Sequence, residues 1–322
     1  MKSVFPLISN GLIFLILKAG RRFADKMGKK RSSIGLWAFI WGGYREAPIA
    51  HEKAVETVAG LGFDGVEVAA YSPYFSNNSS RNRRALRKLY DDNGLERSGL
   101  IAPFPSAVTS NTTKYLDAVK ANLDICIDVD IPTLRVDTAV PPLIESFGND
   151  IDAAFSAAAS NWNAAAEECA RAGVSLVWEF DPGFLFNKPS EVIAMVEKVN
   201  HPNFSLLFDS SHAHMCVAEG ARQIGEKETL PGGAEEFASM CQGKIGHIHL
   251  VDSDGTLHEQ ETSTHVPLGS GLLNFDTLIP VLNDAGCRDD WWVIDLCFWP
   301  KAIDVTAESK KYLDNLIVKY GR

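Results

Sequence analysis

The stretch SLVWEFDPGFLFNKPSEVIAMVEKVNHPNFSLLFDSSH, residues 175–212, decides how the chain is read. It holds two apolar runs, SLVWEF (175–180) and FSLLFD (204–209), each carrying a carboxylate near its end, with a helical pattern between them. Runs that are apolar throughout belong to strands buried on both faces of a parallel sheet. The same unit recurs in both directions. Upstream lie SIGLWAF (33–39), GVEVAA (65–70), RSGLIA (97–102) and TLRVD (133–137); downstream lie IGHIHLV (245–251) and WWVIDL (291–296). Eight strands alternating with helices predict an α/β fold, a closed (β/α)8 TIM barrel. An open doubly wound sheet is the rival, but after the first strand only Gly42-Gly43 stands where a glycine-rich phosphate loop would.

Helix ends fit this order. Pro48 opens PIAHEKAVETVAGLGF, with Gly60 or Gly62 near its stop. The Ala-rich segment 151–173 ends at Gly173, and DTLIPVLNDAG runs from Asp276, a candidate N-cap, to Gly286. No linker or low-complexity tract divides the chain, so residues 31–322 are expected to form a single domain. Residues 1–30 are expected to be an extension outside it. Their apolar stretch Leu7–Leu17 is short, interrupted by Ser9, Asn10 and Gly11, and followed by Lys18, Arg21 and Arg22. That composition predicts neither a stable membrane span nor a cleaved secretory signal.

The net charge is −10 over 322 residues. Eight Lys/Arg and one Asp fall within residues 1–31, leaving −17 on the remainder. Such an acidic body disfavours nucleic acid and tolerates a bound cation. The six cysteines are scattered without a C-x-x-C pair, which predicts free thiols and a cytoplasmic setting.

In a βα barrel the chemistry sits where strands end. Four consecutive strands supply an ionisable group at that place: Glu179, Asp209, His249 and Asp295. Polar groups inside apolar strands cost several kcal/mol, roughly, unless partnered, and four at matching height point to a shared divalent cation. Three carboxylates and one imidazole suit Mn2+ or Mg2+ first, with Co2+ or Zn2+ as further candidates. His247 shares a strand face with His249, one layer deeper, and reads as a packed neighbour. His212 is placed in the loop above the cation, while His51, His201 and His258 read as surface residues.

The ordered pieces LGFDGVEV (61–68), WEF (178–180), FDSSH (208–212), GHIHLVD (246–252) and VPLGSGLLNF (266–275) resemble the sugar phosphate isomerase/epimerase superfamily. These are the xylose-isomerase-like barrels that include ketose 3-epimerases and inosose dehydratases. The resemblance implies the same four metal ligands and a substrate-binding role for His212. It also implies removal of a proton next to a carbonyl; Glu179, Asp295, His212 and Asp137, which ends the fourth strand, are the candidates to move it. Two departures stand out. The last ligand is Asp295 where the family has Glu, and DSDGTLH stands where epimerases place an Arg. Trp37, Trp41, Glu67, Arg135, Phe298 and Trp299 are expected to contact a sugar or glycoside. The loops WAFIWGGY and DLCFWP look like the catalytic α subunit of C-glycoside deglycosidases, which implies β-elimination of 3-oxo-C-glycosides, a small partner subunit and an oligomer. The alternatives are an endonuclease-IV-like phosphodiesterase, which needs further early-strand histidines, and a non-catalytic subunit of the same fold.

Overall fold

The structure is a computed structural model and describes residues 29–138, 150–218, 221–259 and 262–321. The expected extension therefore lies outside the described residues except at its last two positions. Of these, Lys30 is tied to the fold, its N–H donating to the Gly321 carbonyl at 2.8 Å. Among the described residues no helix is long and apolar enough to cross a membrane.

All eight expected strands form. They are β1 (Arg31–Ile34), β2 (Gly65–Ala69), β3 (Glu96–Ile101), β4 (Thr133–Val136), β5 (Ser175–Glu179), β6 (Phe204–Asp209), β7 (Ile245–Leu250) and β10 (Trp291–Ile294). They pair in parallel in the order β1-β10-β7-β6-β5-β4-β3-β2, and a parallel bridge from Gly35 to Glu67 joins the two ends into a barrel. Between β7 and β10 the chain inserts an antiparallel hairpin, β8 (Asp252–Leu257) and β9 (Ser263–Val266). None of the expected strands covers this segment. Asp252 anchors it, its carboxylate accepting the N–H groups of Gly269, Gly271 and Leu273.

Three boundaries differ from expectation for local reasons. β1 stops at Ile34 and a 3-10 turn, Leu36–Phe39, follows. The Trp37 indole folds back onto Gly35, where a Cβ would meet its ring at 2.3 Å, so the chain bends where a side chain would hold it straight. The helix Phe275–Ala285 is capped by the Asn274 side chain, which accepts the Asp276 N–H, two residues before the expected cap. Asp295 lies one residue beyond β10 rather than inside it.

His51 is not a surface residue. Its ring stacks on Tyr74 at 4.2 Å and its Nε2 bonds the Tyr90 hydroxyl at 3.0 Å. Burial lowers its pKa from 6.5 to about 4, against a small opposing pull from Glu52. The unfolded chain then binds the proton first as pH falls, so this stability is complete above about pH 6.5 and lost towards pH 4. The shift is worth on the order of 3 kcal/mol. Urea unfolding at about pH 7 and pH 4.5 is expected to show a smaller acid loss in His51→Phe than in the unmodified chain. Equal losses would count against it.

Candidate metal centre

Barrel stagger decides how the four ligand candidates meet. Asp209 and His249 are direct partners across β6 and β7, whereas Glu179 pairs with Leu207 and His249 pairs with Val293. Asp209 and Asp295 thus each stand two residues further along than the strict partner of the neighbouring ligand, as tilted strands require. All four side chains point inward and are buried. His249 Nδ1 lies 3.0 Å from Glu179 Oε1, 3.4 Å from Asp295 Oδ2 and 3.8 Å from Asp209 Oδ2. One ligand atom from each of the four falls within 4.8 Å of the others.

Each of these side chains has one atom held by the protein and the other left facing the common centre. Arg135 Nη2 pairs with Glu179 Oε2, leaving Oε1. The His212 backbone N–H donates to Asp209 Oδ1 at 2.8 Å, leaving Oδ2. Trp37 Nε1 and the Cys297 N–H both donate to Asp295 Oδ1 at 2.8 Å, leaving Oδ2. Glu67 Oε2 takes His249 Nε2 at 3.0 Å, leaving Nδ1. Glu179 Oε1, Asp209 Oδ2 and His249 Nδ1 are buried without a well-directed hydrogen bond. Orphaned buried polar atoms are costly, and three converging on one point fit a divalent cation with oxygen and nitrogen ligands.

The charges agree with that fit. Burial pushes the Glu179 carboxyl up, but Arg135 and His249 more than reverse this and hold it far below the usual range. Burial likewise opposes ionisation of Asp295, and His265 and His249 overcome it. Asp209, the most enclosed, is raised by burial. Burial would lower His249, yet Glu67, Asp295 and Glu179 raise it well above the ordinary value. Carboxylates this crowded draw positive charge into their midst.

Above the centre opens a cleft of about 330 Å3, lined by Trp37, Trp41, Arg135, Asp137, His212 and Phe298 among the expected residues. Two expected substrate contacts are corrected. Glu67 is fully buried beneath His249 and does not reach the cleft, because β2 delivers it to the barrel axis below the ligand layer. Trp299 packs against the core outside the cleft lining. His258, expected at the surface, is half-buried, its ring stacked at 4.8 Å on Phe298, which lines the cleft. Phe298 stacks in turn on Trp41 at 5.9 Å. His247 is packed below, as expected, between Glu67 and Asp289.

Sequence reasoning missed His265 and Asp181. His265 comes in on the hairpin, buried, with Nδ1 3.4 Å from Asp295 Oδ1 and its ring 4.9 Å from that of His212. Neither of its ring nitrogens finds a hydrogen-bond partner. Asp181 accepts the Thr262 hydroxyl at 2.8 Å and lies 3.6 Å from His212 Nε2. The usable signal was the β-branched run STHV (263–266), which marks a strand that would turn Ser263 and His265 to one side.

A family model described as a xylose isomerase-like TIM barrel matches residues 55–316. The chain belongs to this family. No curated protein matches it. Among solved structures it is similar to a D-tagatose 3-epimerase-like protein (19% identity, TM-score 0.67, 90% of this chain and 99% of that one). It is also similar to an IolI protein with a bound zinc atom (17% identity, TM-score 0.68, 90% and 99%). A third is a probable 3-DHS dehydratase from Bacillus anthracis (16% identity, TM-score 0.66, 88% and 99%). The chain spans 45% of the length of a xylose isomerase-like TIM barrel/4-hydroxyphenylpyruvate dioxygenase fusion protein. At these identities the likeness establishes the barrel and nothing finer. In this xylose isomerase-like barrel the four converging side chains stand at the strand ends that build the active face.

Proposed function

We propose that this xylose isomerase-like barrel is a divalent-cation-dependent enzyme that removes a proton from the carbon next to a carbonyl in a sugar, oxidised sugar or cyclitol. The observation that carries the reading is the half-tied state of all four ligands, each with one atom fixed and one turned to the centre. Glu179, Asp209, His249 and Asp295 would hold the cation, Mn2+ or Mg2+ first, with Co2+ or Zn2+ also compatible with the donors. Bound there, the cation supplies electrophilic stabilisation of charge developing on a substrate oxygen.

The protein's own groups do the rest. Asp295 is pinned by two donors, and Glu179 by Arg135, so both orient rather than travel. His212 is oriented by Ser263, whose hydroxyl lies 2.6 Å from its Nδ1, which leaves Nε2 toward the cleft and Asp181. His265 stands beside it, its Nδ1 3.4 Å from Asp295 Oδ1 and neither nitrogen in a well-directed hydrogen bond. These two imidazoles, with Asp137 on the opposite wall, are the groups assigned to hold and move the proton. Arg135 Nη1 lies 3.2 Å from Asp137, on the side where a substrate hydroxyl would bind.

The aromatic rim favours elimination over plain epimerisation. Trp41 and Phe298 stack in the wall of a cleft whose floor is polar, with His258 stacked on Phe298, a shape for a sugar carrying a planar substituent. Expulsion of that substituent after proton removal gives a lyase acting on 3-oxo-C-glycosides. A small partner subunit belongs to that reading.

The test is incubation in D2O with 3-oxo-C-glucosides and with ketohexoses, with Mn2+ or with chelator. Deuterium at the α-carbon and release of free aglycone are expected only with the cation. Deuterium exchange without aglycone release would replace the lyase by an epimerase or isomerase. No exchange on any keto sugar would sink the proposal.

A further inference from the structure

Below the cation position a line of buried polar groups runs through the barrel to its opposite end. Asp289 precedes β10, six residues before Asp295, at most about 20 Å of extended chain away. Its Oδ1 accepts the Trp291 N–H at 3.1 Å, which sets the direction of the carboxylate, and its Oδ2 bonds His247 Nδ1. His247 Nε2 reaches Glu67 Oε2 at 3.1 Å, and the same oxygen takes His249 Nε2 at 3.0 Å. Glu67, His247 and His249 are at most 1% exposed. The backbone is shaped around this line. The β2–β3 register shifts between Val66 and Glu67, and Gly99 faces the Glu67 carboxylate, where a Cβ would come within 3.1 Å of Oε1.

Ionised carboxylates accept hydrogen bonds and cannot donate them. Each ring nitrogen facing one must therefore carry hydrogen. His249 faces carboxylates from both nitrogens, so without a cation both carry hydrogen. With a cation at the centre only one hydrogen would remain, and Glu67 would keep it on Nε2, freeing the lone pair of Nδ1, the atom turned to Glu179, Asp209 and Asp295. The other tautomer would set a lone pair against Glu67 and an N–H against the cation. A packed apolar trio would fill the same space without burying charge. The line is also directed, because it ends on a ligand.

We infer that Glu67, His247 and Asp289 are positioning residues, a hydrogen-bonded rail that fixes the His249 proton on Nε2 and commits Nδ1 to the cation. The inference rests on the cation reading above. Partners of this kind change metal affinity by about 10–100-fold when altered.

The test uses the full chain and the variants Glu67→Gln and Asp289→Asn, each checked for an unchanged circular dichroism spectrum. Co2+ affinity is read by competition with a chromophoric chelator, and the histidine nitrogens by 15N NMR. Glu67→Gln is expected to weaken Co2+ binding about 10–100-fold and to shift the Co2+ visible spectrum. Asp289→Asn, remote from every ligand, is expected to weaken it by a smaller factor of about 3–10. The His249 Nε2–H signal, protected from exchange in the unmodified chain, is expected to exchange faster in both variants. Unchanged Co2+ affinity and spectrum in both variants would overturn the rail. If the unmodified chain binds no Co2+, the cation reading fails. The rail is then decided by the NMR alone: a protected Nε2–H lost in Glu67→Gln supports it, and an unprotected one refutes it. Should Glu67→Gln fail to fold, Asp289→Asn and His247→Gln carry the same comparison.

Discussion

Replacing His249 by alanine is expected to strip the chain of its cation and to abolish turnover. Structural zinc sites with four ligands bind with about 10–16 kcal/mol, which sets roughly 3 kcal/mol, or about 100-fold in affinity, as the scale for losing one ligand. The loss is expected to exceed this figure here, because His249 also shares the Glu67 carboxylate with His247. Its removal unbalances a charge with no solvent around it. Asp209→Asn is the milder companion. It keeps the shape and the bond from the His212 N–H while removing the charge at Oδ2. Elemental analysis of the purified protein is expected to find about one divalent ion per chain, and about one tenth or less in either variant after dialysis. Full occupancy in His249→Ala would remove it from the ligand set.

The second large effect is expected on stability. Arg135, its side chain 11% exposed, lies between Glu179 and Asp137, with ion pairs to both. Those carboxylates, with Tyr71 and Asp181, overcome the effect of burial and raise its pKa further above the ordinary arginine value. Arg135→Met removes this cation and leaves two carboxylates facing each other in the wall of the cleft. Breaking a buried pair on one side costs about 3–5 kcal/mol. A divalent ion offsets part of this by taking over Glu179. Denaturant unfolding is therefore expected to show the largest loss for Arg135→Met in chelator and a smaller one with added Mn2+. A variant as stable as the unmodified chain in chelator would show that the pair carries no net weight.

The barrel and the convergence of its four polar side chains were largely legible in the sequence. The positions of Glu179, Asp209 and His249 near the ends of uniformly apolar runs sufficed, because a strand buried on both faces keeps a charge only where something outside the strand meets it. His247 one layer below His249 followed from the two-residue period of a strand. Less was legible where short polar runs build structure. In the hairpin β8–β9 the first strand, DSDGTL, is polar and only the short run STHV signals a strand, and with the hairpin went His265 and the packing of His258. Glu67 was misplaced for a different reason. Its sequence neighbours mark it as a barrel carboxylate, but its height depends on a register shift in β2 that no local pattern records.

The sequence alone thus determined the order of the strands, the barrel they close into, and the four residue types that gather at one end. Only the tertiary structure decided which oxygen or nitrogen of each is spent on the protein and which is offered to the centre. The partners that make this choice, Arg135 for Glu179, Trp37 for Asp295 and Glu67 for His249, come from other strands and loops, 44, 258 and 182 residues away in the chain. Apolar periodicity specifies which face a side chain takes, since burial is a property of the strand. Its final rotation is set by hydrogen bonds across the barrel, and those exist only once closure has brought the strands together.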